Sequence, residues 1–213
     1  MLTVHHLGVS QSERIVWLCE ELEIPYELKV YDRDPETRLA PAAYKALHPM
    51  GTAPVITDGD VLLGESGAII DYIIAKHGSG RLAMGPADTN FSDYLFWFHF
   101  ANGSVMPAGM IKMIIGMLGL AGDHPIVVAL SGRGANAFAM IEKRLGEATY
   151  FAGDAFTAAD IIMVFSLTTM RAFAPMDLGP FPNILDYLQR IGARPAYQRA
   201  MAKGDPGMTP MLT

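Results

Sequence analysis

The sequence predicts two domains: an α/β domain with element order βαβαββα, followed by an all-helical domain. Three observations carry this expectation. The first 77 residues alternate between strand-like period two and helix-like period 3.6. A Gly-rich stretch with neither period, residues 77–86 (HGSGRLAMGP), comes next. From residue 87 onward no segment reads as a strand.

Taken in order, residues 2–6 form a strand, 15–22 an amphipathic helix and 26–31 the second strand. A short helical stretch at 42–47 precedes two apolar runs, 54–57 and 61–63, joined through Asp58-Gly59, a strong hairpin signal. Residues 66–76 return to helical period, with Ile69, Ile70, Ile73 and Ile74 on one face. The first βαβ unit requires parallel strands and the hairpin adds antiparallel ones, so a four-stranded mixed sheet follows. The domains are therefore placed at 1–77 and 87–213, with a linker at 78–86. Helical segments, with interruptions, are expected at roughly 87–120, 125–147, 157–171 and 182–203. Thr157-Ala158-Ala159-Asp160 reads as a capping box, with Asp in place of Glu, and Phe156 and Ile161 flank it as a hydrophobic staple. A helix is expected to start at Thr157.

Composition narrows the function classes. With 51% apolar and 18% charged residues the 213-residue chain is a folded protein, able to bury a substantial core. A net charge of -6 and no Lys/Arg cluster leave no electrostatic footprint for a phosphate backbone, so nucleic acid is not an expected partner. Cys19 is the only cysteine, which excludes an intrachain disulfide, a CxxC pair and a thiolate zinc site. His5, His6 and His77 have no HxH or HExxH spacing, and no metal is expected. The start MLTVHHLGV lacks the pattern of a signal peptide, so the expected compartment is the cytoplasm. Residues 105–122 are apolar except for Lys112, nearly long enough to span a bilayer, but five positions are Pro107, Gly109, Gly116, Gly119 and Gly122; no membrane span is expected.

Three segments carry possible chemistry. The turn Gly8-Val9-Ser10-Gln11-Ser12-Glu13-Arg14 places two hydroxyls at the start of the first helix. Ser10 either caps that helix, with Glu13 completing a capping box, or donates a hydrogen bond to an anion such as a thiolate at the helix N-terminus. His48-Pro49-Met50-Gly51-Thr52-Ala53-Pro54 leads into the third strand. It is either a loop ending in an edge-strand proline or a cis peptide that offers the Ala53 backbone to an extended ligand. In Gly64-Glu65-Ser66-Gly67-Ala68, Ser66 either caps the next helix or joins Glu65 in holding an α-amino acid group, ammonium on the carboxylate and carboxylate on the helix N-terminus.

Together these segments resemble the thioredoxin-like domain of cytosolic glutathione S-transferases of the serine type, similar to bacterial and theta-like members. FAGDAFTAADI at 151–161 and ARPAYQRA at 193–200 resemble the helical domain of that family, so the resemblance covers nearly the whole chain. It implies a transferase that conjugates the glutathione thiolate to a hydrophobic electrophile. Ser10 then matches the catalytic serine, Pro54 the cis-proline, Ala53 a backbone contact to the cysteinyl unit, and Glu65 and Ser66 the pair that holds the γ-glutamyl group. His48 and Thr52 fall near the glycyl carboxylate, where many relatives carry Asn and a basic residue instead. Ser12 is the rival of Ser10. The same thiolate serves peroxidase, dehalogenase and isomerase chemistry, and a non-catalytic ligand carrier of the same fold is the alternative from another class.

Cys19, beside Leu18 and Leu22, reads as core rather than nucleophile. The aromatic run 94–100 (YLFWFHF) reads as core, with Phe98 adjoining the family's electrophile pocket. Met106, Met110, Met113 and Met117 stripe one helical face and suit either a core or an adaptable pocket; Phe98, Met106, Met110 and Met113 are the candidates for that pocket. Family resemblance also implies a homodimer packed through residues near 66–77 and 87–105.

Overall fold

The computed structural model describes residues 1–213. The chain forms two compact units, Met1–Ala83 with Gly192–Pro210, and Met84–Ile191 with Met211–Thr213.

In the first unit, β1 (Leu2–Leu7), α1 (Glu13–Leu22), β2 (Glu27–Tyr31), α2 (Ala42–Lys45), β3 (Val55–Asp58), β4 (Val61–Gly64) and α3 (Ser66–Lys76) follow one another as expected. The sheet order is β2-β1-β3-β4. β1 runs parallel to β2, with Val4 opposite Leu28, and antiparallel to β3, with Val4 opposite Ile56. Every residue of β1 is buried, the pattern of a central strand covered on both faces. The isoleucine stripe of α3 lies in the core, where Ile69, Ile70, Ile73 and Ile74 are all buried. β3 is also a central strand, so the edge-strand reading of Pro54 does not hold. Pro54 instead immediately precedes the first paired residue, and its lack of an N–H removes no ladder bond.

The second unit is helical. A continuous helical run joins α4 (Phe91–Phe100) to α5 (Met106–Leu118) through a π-helical turn at Ala101–Val105. The π turn precedes Pro107, which cannot donate to the carbonyl four residues back; widening the helix there absorbs the missing bond. By length and composition alone this 28-residue run is apolar enough to cross a membrane. Trp97, Phe98, Ala101, Val105 and Met106 are nonetheless buried within the unit. α6 (Pro125–Glu147) follows, then α7 (Ala158–Leu167), a short 3-10 turn at Thr169–Ala172, and α8 (Pro182–Gly192). All ten residues of α7 are buried, as expected of a helix apolar on every side.

Thr157 is the N-cap of α7 and the capping box is complete. Its hydroxyl accepts from Ala159 N at 3.3 Å, and Asp160 Oδ2 accepts from Thr157 N at 2.9 Å. Asp160 does more than the sequence implied. Its other oxygen accepts from Phe151 N and from the Tyr187 hydroxyl, both at 3.1 Å, so one carboxylate ties the loop before α7 and the α8 helix to the cap. Burial pushes this carboxyl up to about 6, against the four hydrogen bonds that favour its charged form. Asp160→Ala should therefore destabilise by more than the roughly 0.5–2 kcal/mol of a lost cap, because buried donors left without an acceptor add about 1–3 kcal/mol each. Urea denaturation checks this: a lowered midpoint with glutathione affinity intact is expected, and an unchanged midpoint contradicts the assignment.

The sequence places interrupted helical structure over 182–203 and carries the helical domain to residue 213. In the structure the helix breaks before Pro195, which starts α9 (Pro195–Gly204), and residues 192–210 belong to the first unit. The cause is a set of side chains far apart in sequence. Tyr197 meets Trp17 edge-on at 5.0 Å, Arg194 grips Glu21 with two nitrogens at 2.7 and 2.8 Å, and Arg199 and Lys203 both reach Glu20. α9 thus covers α1.

Candidate functional site

The site is built at the C-terminal end of β1. The chain leaves the sheet at Gly8, whose N–H still donates to Tyr31 O at 3.0 Å, and turns sharply through Val9. Val9 has φ of 51°, a left-handed conformation that a β-branched residue rarely adopts. Two long-range anchors hold it there. Asp205, which closes α9, accepts from Val9 N at 2.8 Å, and Arg33 donates to Gly8 O at 2.8 Å and Val9 O at 2.9 Å. Strain held by its surroundings in this way is characteristic of functional turns.

Ser10 and Ser12 follow on this turn. Neither acts as the helix cap that the sequence allowed: α1 begins at Glu13, and no side chain caps it. Ser10 Oγ donates to Leu7 O at 2.7 Å and lies 2.8 Å from Ser12 Oγ. Ser12 is fully buried; its Oγ accepts from Leu7 N at 3.1 Å and sits 2.9 Å from His6 Nδ1. Ser10 is 6% exposed, so of the two hydroxyls it has the more accessible position.

Ala53-Pro54 is a cis peptide. Leu7, Tyr44 and Val55 form a buried cluster against which Ala53 packs, and this fixes the Pro54 loop beside the end of β1. Pro54 is buried, whereas Thr52 is exposed. His48 is half-buried; its Nδ1 accepts from Met50 N at 3.2 Å, and its ring lies over Gly64 so closely that a Cβ there would stand 3.3 Å from the imidazole. His48 is therefore brought against the residue before Glu65.

Glu65, like Val9, is one of six non-glycine residues with a left-handed φ, here 67°. It stands at the N-cap position of α3 with an exposed side chain that makes no cap bond, so the capping role considered for Ser66 falls to neither side chain. Ser66, the first residue of α3, is buried, and its hydroxyl accepts from Arg14 Nη1 at 3.3 Å. Arg14 also donates to Gln11 at 2.6 Å. Burial works against the charge of this guanidinium, and Glu13 beside it works in favour. The Arg14–Ser66 hydrogen bond thus brings a buried cation from α1 to the start of α3, beside the exposed carboxylate of Glu65, an arrangement of charges suited to a zwitterionic group.

Sequence reasoning passed over Arg14, Arg33, His6 and Asp205. Their signal was weak because each acts through a partner distant in sequence; Asp205 lies 199 positions from His6. Other side chains are structural. Cys19 is completely buried and its thiol is pushed up by burial, which makes it a poor nucleophile. His5 is held between the Tyr31 and Thr57 hydroxyls at 3.0 and 3.2 Å.

In the helical unit, α5 splits its methionine stripe. Met106 lies in a core cluster with Phe165, Met170 and Ala174, and Met113 packs against it. Met110 and Met117 are 48% and 79% exposed. Phe98 is buried beside Tyr94, with ring centroids 5.7 Å apart. A cavity of about 270 Å³ lies on the other side of α5, with walls that include Val105, Gly109, Leu130, Phe138 and Met170. Phe98, Met106, Met110 and Met113 do not line it, because helical phase turns the methionine stripe away from that wall.

Comparison with known proteins agrees across the chain. Residues 10–76 match the glutathione S-transferase N-terminal domain family, and residues 87–195 match the C-terminal domain family. The chain is 32% identical over 216 residues to glutathione S-transferase 3 of Schizosaccharomyces pombe, covering 95% of this chain and 88% of that protein. The crystal structure of a glutathione S-transferase from Actinobacillus pleuropneumoniae superposes with a TM-score of 0.87 at 32% identity, covering 96% of this chain and 93% of the other. A family member from Pseudomonas fluorescens, solved with two glutathione molecules bound, shares the fold with a TM-score of 0.77 at 21% identity, covering 94% and 92% of the two chains.

Proposed function

Because the chain belongs to the glutathione S-transferase family, we propose that it binds glutathione, holds the sulfur as a thiolate with the Ser10 hydroxyl and transfers it to a hydrophobic electrophile. The observation that carries this reading is the Ser10 turn. A small hydroxyl is held by strained, doubly anchored backbone at the end of β1, beside the cis Ala53-Pro54 loop and on the same domain as Glu65 and Ser66. Chemistry at such a site is nucleophile activation and positioning. Glu65 and Ser66 take the γ-glutamyl group, Ala53 the cysteinyl backbone, and His48 with Thr52 the glycyl end; the exposure of Thr52 and the ring of His48 over Gly64 leave His48 the better supported of the last pair.

The apolar cavity beside α5 supports an electrophile class that is small and hydrophobic. Its volume of about 270 Å³ is near the lower end of ligand pockets. The protein acts in the cytoplasm as a homodimer in this reading, and the exposed Leu95 and Phe96 on α4 suit a partner-facing surface. Detoxification is the role that such a reaction serves.

The test is retention on immobilised glutathione combined with turnover of aryl halides, epoxides, hydroperoxides and isothiocyanates. Conjugation of at least one class by the retained protein is expected. Retention with no turnover of any class points to the carrier reading, and turnover of hydroperoxide alone moves the assignment to a peroxidase.

A further inference from the structure

We propose that His6 is the acceptor of the glutathione thiol proton, reached from Ser10 through Ser12 and held ready by Asp205. The proposal rests on the preceding reading of Ser10 as the sulfur's partner and extends it to residues buried behind the serine.

Four side chains form one continuous hydrogen-bonded line. Asp205 Oδ2 stands 3.1 Å from His6 Nε2, His6 Nδ1 is 2.9 Å from Ser12 Oγ, and Ser12 Oγ is 2.8 Å from Ser10 Oγ. His6 and Ser12 are fully buried, and Asp205 and Ser10 nearly so. Any Cβ at Gly204 would stand 3.1 Å from His6 Nε2, so the end of α9 closes over the ring. An ordinary core histidine needs one hydrogen bond on each nitrogen. This one has a carboxylate on one side and, on the other, a hydroxyl already in contact with the candidate catalytic serine.

The donors and acceptors can be assigned by elimination. A carboxylate only accepts, so the Nε2 position of His6 carries a proton directed at Asp205. In neutral imidazole Nδ1 is then an acceptor, and the single Ser12 proton, for which Leu7 O at 3.3 Å is the competing acceptor, goes to Nδ1, the nearer at 2.9 Å. Ser12 Oγ is left as an acceptor, already taking Leu7 N–H, with room for the Ser10 proton. At rest Ser10 donates to Leu7 O; rotation of that hydroxyl toward Ser12 completes the path.

The step then balances without another reactant. The S–H bond breaks and its electron pair stays on sulfur. The thiol proton passes to Ser10 Oγ, the Ser10 proton to Ser12 Oγ, and the Ser12 proton to His6 Nδ1, where the new N–H bond forms. Afterwards each donor points the other way: the imidazolium donates to Ser12, Ser12 to Ser10, and Ser10 to the thiolate. When the sulfur bonds to the electrophile, the imidazolium returns its proton to solvent or to the departing anion. The Ser10 hydrogen bond stabilises the thiolate at one end of the line, and the Asp205 carboxylate stands against the imidazole at the other. The charged groups that face this line are Asp205 and Arg33, the latter bound to the carbonyls of Gly8 and Val9. His6, Ser12 and Asp205 are positioning and proton-relay residues; Ser10 alone is placed against the sulfur.

Proton bookkeeping on glutathione binding tests this. Thiolate is measured by its ultraviolet absorbance, and protons released are measured by calorimetry in buffers of different ionisation enthalpy at pH 7. The wild-type protein is expected to form thiolate with far less than one proton released per thiolate, because His6 keeps it. In Asp205→Asn, which can still accept from Val9 N but carries no charge, release should rise toward one per thiolate, and the thiolate fraction should fall, by up to about tenfold for each unit by which the thiol pKa rises. His6→Gln should behave likewise, and if it fails to fold, Asp205→Asn decides alone. Full release by the wild type, or wild-type behaviour of a folded Asp205→Asn protein, overturns the relay while leaving Ser10 in place. Absence of thiolate in the wild-type complex overturns the parent reading and the relay together.

Discussion

Ser10→Ala should reduce turnover near neutral pH by about 10–100-fold while leaving glutathione affinity largely unchanged. Only the thiolate is an effective nucleophile, and an ordinary thiol has a pKa of about 8.5. One hydrogen bond donated to a charged sulfur is worth roughly 1.5–3 kcal/mol, which corresponds to one to two units at about 1.36 kcal/mol each. Removing it returns the thiol toward its free value and removes most of the nucleophile at pH 7. The substitution should be tolerated structurally, because Ser10 caps no helix and its main partner is the carbonyl of Leu7. Ser12→Ala should differ in kind. Its hydroxyl holds Leu7 N and faces His6 from a fully buried position, so its loss should lower stability and shift the thiol pKa less than Ser10→Ala does. Stopped-flow and steady-state kinetics on both variants, with melting temperatures, check the contrast. A larger pKa shift in Ser12→Ala would exchange the roles of the two serines.

The largest effect on affinity is expected at Glu65. Glu65→Ala should raise the glutathione dissociation constant by about 10–150-fold, the equivalent of one charge-assisted hydrogen bond of roughly 1.5–3 kcal/mol, with a much smaller change in turnover at saturation. The γ-glutamyl ammonium is remote from sulfur, so its contact contributes equally to ground and transition states and acts on binding alone. The left-handed φ of 67° at Glu65 sharpens the test. Glu65→Gly relieves the backbone and removes the carboxylate, so it should be as stable as the wild type or more so while binding as poorly as Glu65→Ala. Calorimetric titration with reduced glutathione measures both, and wild-type affinity in either folded variant contradicts the assignment of this carboxylate.

Much of the architecture was legible because it is local. Period two and period 3.6 mark the strands and helices, Asp58-Gly59 marks the hairpin, and Thr157 with Asp160 marks the start of α7. What could not be read depends on long-range pairing. Nothing local to Pro54 says that its strand is central; that follows from β1 pairing on the far side. Likewise, nothing local to residues 192–210 assigns them to the first unit, since that rests on Glu20, Glu21 and Trp17 meeting Arg199, Arg194 and Tyr197. The site shows the same division. Ser10, Pro54, Glu65 and Ser66 are candidates from motif order, whereas the groups that contact these segments, Arg14 at Ser66 and Arg33 with Asp205 at Gly8 and Val9, are distant in sequence from what they contact. His6 looked like an ordinary strand residue until its two nitrogens had partners.

The hydroxyl of Ser10 is expected to lower the pKa of bound glutathione. Titrating the ultraviolet absorbance of the thiolate in the wild-type and Ser10→Ala complexes tests it most directly. The wild-type thiol should ionise one to two units below the ordinary value of about 8.5, and the Ser10→Ala thiol should return to near that value. Equal pKa values in the two complexes would contradict it.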